Sequence, residues 1–219
     1  MNDSLMLTHA PILSLQAEMK EDKRFKALCE QHDLPWDFES GYEPRGYYGP
    51  APEQVRLLVL LAEPGAVTPT ERQNLRPAIS HGPWIEGFDL GSQEYYWRRH
   101  LGELCIHIWP EGTEDHMYAH LGKSNTFWMS LRPGAQTRPV PREPLQYFLR
   151  TYLTRFLALF PDAIILAAGG KAQSRLRSLQ VEFERCSAFT RPESNKPSAQ
   201  DSWCCAGKAI ADRLAQRWT

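Results

Sequence analysis

The sequence lacks any apolar run that approaches the length of a membrane span. Its first residues, MNDSLMLTHAPILSLQAEMK, also lack a basic region followed by a long apolar stretch. Spanning helices need about 20 mostly apolar residues, and secretory signals need both of the missing regions. These absences predict a cytoplasmic protein with no membrane association. Its 219 residues, 42% of them hydrophobic, suffice for one domain with a sizeable core.

Patterns that bind metals or nucleotide cofactors are also missing. The five cysteines form no C-x-x-C pair, and their odd number argues against a disulfide framework, so we interpret them as thiols in a reducing compartment. No P-loop and no G-x-G-x-x-G occurs, which disfavours a nucleotide cofactor. His116 and His120 are four residues apart, but no third ligand accompanies them, so they are interpreted as surface histidines. We expect no cofactor and no metal.

Acidic and basic residues are unevenly distributed along the chain, although the net charge is only −1. Residues 1–120 contain 10 basic and 19 acidic side chains, whereas residues 121–219 contain 15 basic and 7 acidic ones. This asymmetry indicates an anionic partner for the C-terminal part, unless folding interleaves the two parts and cancels the charge.

The apolar patterning alternates between strands and helices. LLVLL at 57–61 and DAIILAAGG at 162–170 lack polar alternation, which is typical of strands covered on both faces. Helical spacing covers 12–31, 143–160, 171–179 and 201–218. We predict an α/β fold, a three-layer α/β/α sandwich with a mainly parallel four-stranded sheet. The extra N-terminal helix and its loop occupy residues 1–50.

Three further segments between the first strand and the 143–160 helix have less regular patterns. SQEYYWRRHLGELC at 92–105 predicts a short helix, and the overlapping LCIHIWP at 104–110 predicts a second strand or a buried turn. SNTFWMSL at 124–131 predicts another short strand that ends at the RPG turn.

Three strand-to-loop segments occur in a characteristic order: LLVLLAEPG, then SNTFWMSLRPG, then SNKPSAQ. Their order and spacing resemble the uracil-DNA glycosylase superfamily. In that family the first strand ends in G-x-[D/N/A]-P-[Y/G], a middle strand carries an Asn, and a late loop reads H-P-S or N-P-S. The resemblance covers about residues 55–219 and implies one uracil-DNA glycosylase-like domain over 1–219. The helix, strand and glycine turn at 143–173 also look like those of the iron–sulfur members.

The resemblance implies an enzyme of DNA repair that hydrolyses the N-glycosidic bond of a flipped, damaged or modified base. Glu63 stands where the family has Asp or Asn, and it would orient a water and stabilise the cationic sugar. Pro64 and Gly65 would supply a backbone turn close to the base. Asn125 would read the base edge, because its amide both donates and accepts. Alternatively, Glu63 caps a helix N-terminus and Asn125 only satisfies buried backbone groups.

The late loop departs from the family pattern, because Lys196 stands where the family has His or Asn. Lys196 would neutralise the departing base, bind a phosphate or attack the sugar as an amine; otherwise it is an exposed lysine without a catalytic role. Asn195 is a second candidate donor to the base. Around this loop, candidate contacts to the DNA backbone or the gap left by the flipped nucleotide are Arg191, Ser194, Ser198 and Gln200.

Other family features are displaced or missing. Candidates for the aromatic side chain that stacks on the base are Trp84, Phe88, Tyr47 and Tyr48. The cysteine ligands of the iron–sulfur members have no counterpart, so no cluster is expected. DNA is the expected partner, and the chain is expected to be a monomer. Two alternatives stay open: a catalytically inactive nucleic-acid-binding protein on the same fold, and an unrelated α/β enzyme acting on a small molecule.

Overall fold

A computed structural model describes residues 9–34, 36, 46–64, 79–80, 96–129 and 139–218. Its sheet has six strands in the order β3-β1-β4-β2-β5-β6. The strands are β1 Tyr47–Tyr48, β2 Leu57–Leu61, β3 Ile79–Ser80, β4 Leu121–Asn125, β5 Ile164–Ala168 and β6 Glu184–Cys186.

The helices alternate with these strands along the chain. They are α1 Ala10–Glu21, α2 Lys23–Gln31, α3 Tyr96–Ile108, α4 Thr113–His120, α5 Arg142–Phe148, α6 Thr154–Leu157, α7 Gly170–Ser178 and α8 Pro197–Trp218. A π-helical segment, Leu149–Leu153, joins α5 to α6, and two 3-10 turns cover Pro52–Gln54 and Glu193–Asn195. None of the helices in these described ranges combines the length and the apolar character needed to span a membrane.

The four longer strands, β4, β2, β5 and β6, are parallel to one another. Two-residue strands extend the β4 side: β1 pairs antiparallel with β4, and β3 pairs parallel with β1. The predicted fold class is therefore confirmed, with two short strands added to the four expected. β2 and β5 each have a neighbour on both sides, because their apolar residues supply side chains to both faces of the sheet at once.

Helices cover both faces of the sheet. On one face, Leu58, Leu60 and Ala167 belong to a core shared with α1, α2 and the α5–α6 helical run. On the other face, the core includes Leu57 and Val59 and is shared with α3 and α8. Because successive strand residues point to opposite faces, one apolar strand contributes to both cores. Each layer of the three-layer sandwich is thus held by burial of apolar side chains.

The single N-terminal helix predicted over 12–31 is two helices that meet at Asp22. Asp22 is extended, with φ −75° and ψ 95°, and its Oδ1 accepts the backbone N–H groups of Arg24 and Phe25 at 2.9 Å. Its Oδ2 accepts the hydroxyl groups of Tyr147 at 2.8 Å and Tyr152 at 2.5 Å. An aspartate that caps a helix stops the preceding one, since its side chain competes for backbone donors.

The interpretation of LCIHIWP as a strand or buried turn was wrong, because α3 continues to Ile108. Leu104, Cys105 and Ile108 are buried against the α8 face of the core. Their i, i+1, i+4 spacing fits one side of a helix as well as it fits a strand. For this short apolar run, packing against α8 favours the helix over the strand.

The middle strand is displaced from its predicted position at 124–131, because β4 is Leu121–Asn125 with the sequence LGKSN. A Cβ at Gly122 would lie 2.9 Å from the Tyr47 hydroxyl oxygen and 3.1 Å from Val55 Cγ1. The glycine is needed for this close approach, although glycine weakens strands in general. Pairing with β1 and β2, rather than local propensity, fixes the strand here.

Folding partly cancels the charge asymmetry of the sequence. Arg155 donates to both oxygens of Glu18, at 2.6 and 3.0 Å. Lys171 and Arg175 bind the carboxylate of Glu63. Cations of the basic C-terminal part therefore pair with carboxylates of the acidic N-terminal part.

Candidate functional site

The carboxyl ends of the parallel strands bring two predicted site residues together. Leu61, the last residue of β2, pairs with Asn125, the last residue of β4. The Thr126 N–H donates to Leu61 O at 2.7 Å, and the Phe127 N–H donates to Ala62 O at 3.1 Å. Glu63 thus follows β2 beside the end of β4. In open α/β sheets this edge is where ligands bind.

Glu63 is held by two cations of α7. Lys171 Nζ donates to Glu63 Oε1 at 2.6 Å, and Arg175 Nη2 donates to Glu63 Oε2 at 2.7 Å. The Glu63 side chain is only 7% exposed. Both carboxylate oxygens therefore point to α7, and the three side chains have a formal charge of +1. The alternative prediction, that Glu63 caps a helix N-terminus, does not match these contacts: the partners are side chains of α7, and among the described residues the N-terminus of α7 has no side-chain cap.

Arg175 connects the ends of β2 and β4 to α7. Its Nη1 donates to Ala62 O at 2.8 Å and to Thr126 Oγ1 at 3.0 Å. Burial lowers the pKa of the Arg175 guanidinium, while the charge and hydrogen bond of Glu63 act in the opposite direction. The sequence analysis did not select Lys171, Arg175 or Thr126. A sequence feature that points to Lys171 and Arg175 is their spacing: they are two basic residues four positions apart on the helix that follows a buried strand.

Asn125 lies in the sheet interior and is 3% exposed. Side chains alternate along β4, so Asn125 shares a face with Lys123. Lys123 is 8% exposed, and its ammonium lies 4.2 Å from the Trp97 ring centroid and 4.8 Å from the Tyr48 ring centroid. Cation–π contacts of this kind stabilise a desolvated ammonium. The face of β4 that carries Asn125 is therefore polar and cationic near the strand end.

The predicted SNKPSAQ loop is largely a helix start. Asn195 ends the 3-10 turn Glu193–Asn195, and Pro197 is the first residue of α8. Lys196 between them is extended, and its carbonyl accepts the Ala199 N–H at 2.9 Å. Proline is favoured at the first helical position, which explains the early start. Lys196 is exposed at the amino end of α8.

The segment before α8 lies near the glycine turn that starts α7. Gly169 has φ +85°, and a Cβ there would lie 2.8 Å from Ala188 Cβ and 3.5 Å from Glu193 Oε2. Since Gly169 follows β5 directly, the 3-10 turn is at the same edge of the sheet as Glu63. Of the predicted DNA contacts here, Arg191, Ser198 and Gln200 are exposed, whereas Ser194 is only 8% exposed.

A cavity of about 390 Å³ lies between α3 and the start of α8. It is lined by Arg99, His100, Ser194, Asn195, Lys196, Pro197, Gln200 and Trp203. The sequence analysis did not select Arg99 or His100, because they lie in α3, far from the late loop along the chain.

The four candidates for the base-stacking aromatic side chain lie in different environments. Tyr47 is fully buried and its hydroxyl donates to Pro50 O at 2.7 Å, so its selection as a base-stacking residue was wrong. Tyr48 is half-buried against Lys123. Trp84 and Phe88 lie outside the described residues, as does Gly65, whereas Pro64 is described and buried.

His116 and His120, the two histidines spaced four residues apart, have ring centroids 5.8 Å apart. His120 Nδ1 lies 3.1 Å from Gln54 O. In the part of the chain that the structure describes, no three His, Cys, Asp or Glu side chains form a group that could hold a metal ion.

No protein-family model matches the chain, and no curated protein matches its sequence. The case for a family therefore depends on the three motifs and on where their residues lie.

Proposed function

We propose that this protein is a DNA glycosylase of the uracil-DNA glycosylase type, which hydrolyses the N-glycosidic bond of a flipped base. The observation that carries the proposal is the register of β2 and β4, in which Leu61 pairs with Asn125. A carboxylate two residues beyond β2 and an amide on the last residue of β4 therefore lie at the ends of adjacent parallel strands. The 3-10 turn before α8 is at the same edge, near Gly169.

In this proposal Glu63 orients the attacking water. Lys171 and Arg175 fix the carboxylate, and a fixed acceptor positions water at little entropic cost. The +1 charge of the three side chains favours the departing anionic base or a nearby phosphate more than it favours a cationic sugar. Positioning is therefore the main contribution expected of Glu63.

Asn125 supplies base recognition in the same proposal. A buried amide discriminates strongly because an unmatched base leaves its donor or acceptor unpaired. Arg191, Ser198 and Gln200 are exposed near the start of α8 and suit contacts with the DNA backbone.

The test uses oligonucleotides that contain uracil, hypoxanthine, xanthine or a 5-substituted pyrimidine, followed by alkali cleavage. We expect strand breaks at one of these bases, and a rate loss of roughly 10²–10⁴ in Glu63→Gln with DNA affinity retained. Glu182→Gln is the matched control, because that carboxylate is 80% exposed. Circular dichroism checks that both variants fold. Absence of breaks at every base, or equal rates in Glu63→Gln and the parent, contradicts the proposal.

The second candidate is a nucleic-acid-binding protein that keeps this fold without catalysis. It is favoured by the contacts of Glu63, whose two oxygens both bind cations of α7, as in a purely structural ion pair. DNA binding without strand breaks, together with a Glu63→Gln variant that loses stability only, supports this candidate.

A further inference from the structure

The cavity between α3 and the start of α8 contains groups suited to an anion. Lys196 and Arg99 line it from opposite elements. Among the described residues Lys196 makes no ion pair, while Arg99 Nε donates to Glu103 Oε1 at 3.1 Å and its side chain is 63% exposed. The positive end of the 22-residue α8 also borders the cavity, because Pro197 lines it. Helix amino ends of this kind favour phosphate groups.

Backbone geometry at this helix start leaves a donor for a ligand. Pro197 has no N–H, and the Ala199 N–H is used by Lys196 O. The N–H of Ser198 has no backbone acceptor among the described residues. First-turn N–H groups without helical partners are commonly satisfied by ligands.

The second, independent observation is the side chain of Ser194. Ser194 lines the cavity and is 8% exposed, and its Oγ is a buried polar atom that has no hydrogen-bond partner among the described residues. A buried hydroxyl without a partner carries the full cost of its desolvation. Native proteins keep few such groups, and a ligand that supplies the missing partner explains this one.

Two buried rings also line the cavity, His100 from α3 and Trp203 from α8. His100 is 6% exposed, its Nδ1 lies 3.0 Å from Glu103 Oε2, and its ring is 4.4 Å from that of Trp203. Trp203 in turn donates its Nε1–H to Ser187 O at 3.0 Å. Two buried rings held in this way give the cavity a fixed shape.

We propose that this cavity is a binding pocket for a phosphate monoester, held by Lys196, Arg99, Ser194 Oγ and the amino end of α8. Its volume is near the lower end for small-ligand sites. A terminal phosphate reaches a buried hydroxyl such as Ser194 Oγ, whereas a phosphodiester continues as chain on both sides. The proposal does not depend on glycosylase activity.

Binding of inorganic phosphate to the full chain, measured by isothermal titration calorimetry at low ionic strength, tests the pocket. We expect saturable binding that weakens at least threefold in Arg99→Gln and in Lys196→Gln, and about tenfold or more in the double variant. Lys208→Gln is the matched control, because Lys208 is exposed on the same helix about 16 Å from its start. Absence of phosphate binding, or equal affinities in the variants and the control, overturns the proposal.

Ser194→Ala separates a ligand role from a structural one. Since Ser194 Oγ has no partner in the part of the chain that the structure describes, we expect unchanged or higher thermal stability together with a two- to tenfold weaker phosphate affinity. Lower stability with unchanged phosphate affinity contradicts the assignment.

Competition experiments identify the source of the monoester. The phosphate titration is repeated with a 5′-phosphorylated mononucleotide, its nucleoside, and one short oligonucleotide with either a 5′-phosphate or a 5′-hydroxyl. If the mononucleotide binds more tightly than its nucleoside, and the two oligonucleotides bind equally, the ligand is a small molecule. If the 5′-phosphorylated oligonucleotide binds more tightly than the 5′-hydroxyl one, the ligand is a DNA end. If phosphate displaces both oligonucleotides equally, the occupant is the diester backbone and the monoester proposal fails.

Discussion

Replacing Arg175 tests whether the Glu63 cluster holds this edge of the sheet together. Arg175 is 7% exposed and donates to Glu63, to Ala62 O and to Thr126 Oγ1. Removing one partner of a buried ion pair costs about 3–5 kcal/mol. Lys171 still binds Glu63 in Arg175→Met, so we expect a loss of about 3 kcal/mol in the free energy of unfolding.

Urea denaturation followed by circular dichroism measures this loss, with Arg177→Met as the control because Arg177 is exposed two residues further along α7. A double-mutant cycle with Glu63→Gln gives the coupling between the two side chains, which we expect to be about 1–3 kcal/mol. A loss below about 1 kcal/mol in Arg175→Met, or additive effects in the cycle, refutes the view that this ion pair fixes the edge.

Three further predictions concern other parts of the molecule. Gly122→Ala forces a Cβ to 2.9 Å from the Tyr47 hydroxyl oxygen, and urea denaturation should show a loss of about 1–3 kcal/mol. Burial raises the pKa of Asp22, but its hydrogen bonds outweigh burial and lower the pKa below its ordinary value of 3.8. Its stabilisation is therefore complete above about pH 4 and is lost as the pH falls through the folded pKa, and unfolding curves of Asp22→Asn should lack this acid-dependent part. With a thiol reagent at neutral pH, exposed Cys205 should react first, and Cys29, whose pKa burial raises to about 12, should react only after unfolding.

The charge available for a partner depends on which side chains the fold brings together, and not only on their order along the chain. The C-terminal part is strongly basic in sequence, but Arg155, Lys171 and Arg175 pair with carboxylates from the N-terminal part. Lys196, in contrast, is exposed at a helix start. An anionic partner is therefore expected near the start of α8 rather than over the whole C-terminal part.

Local sequence was sufficient for the central architecture. The runs at 57–61 and 162–170 are apolar without alternation, and they became the interior strands β2 and β5 because a sheet covered on both faces buries such runs. The helical pattern at 143–160 became α5, the π-helical segment and α6. Glu63, two residues beyond the end of β2, lies at the carboxyl edge of the parallel strands, where the sequence led us to expect a site.

Tertiary structure decided what depends on partners distant in sequence. Glu63 contacts Lys171 and Arg175, which are 108 and 112 residues away, and no local pattern specifies such pairs. Residues 104–108 became helix because α8 packs on them, and β4 formed from LGKSN because its neighbours supply the hydrogen bonds. The phosphate pocket likewise needed α3 and the start of α8 side by side. Periodicity reports which face of an element is buried, whereas the contacts across elements arise only when the chain is compact.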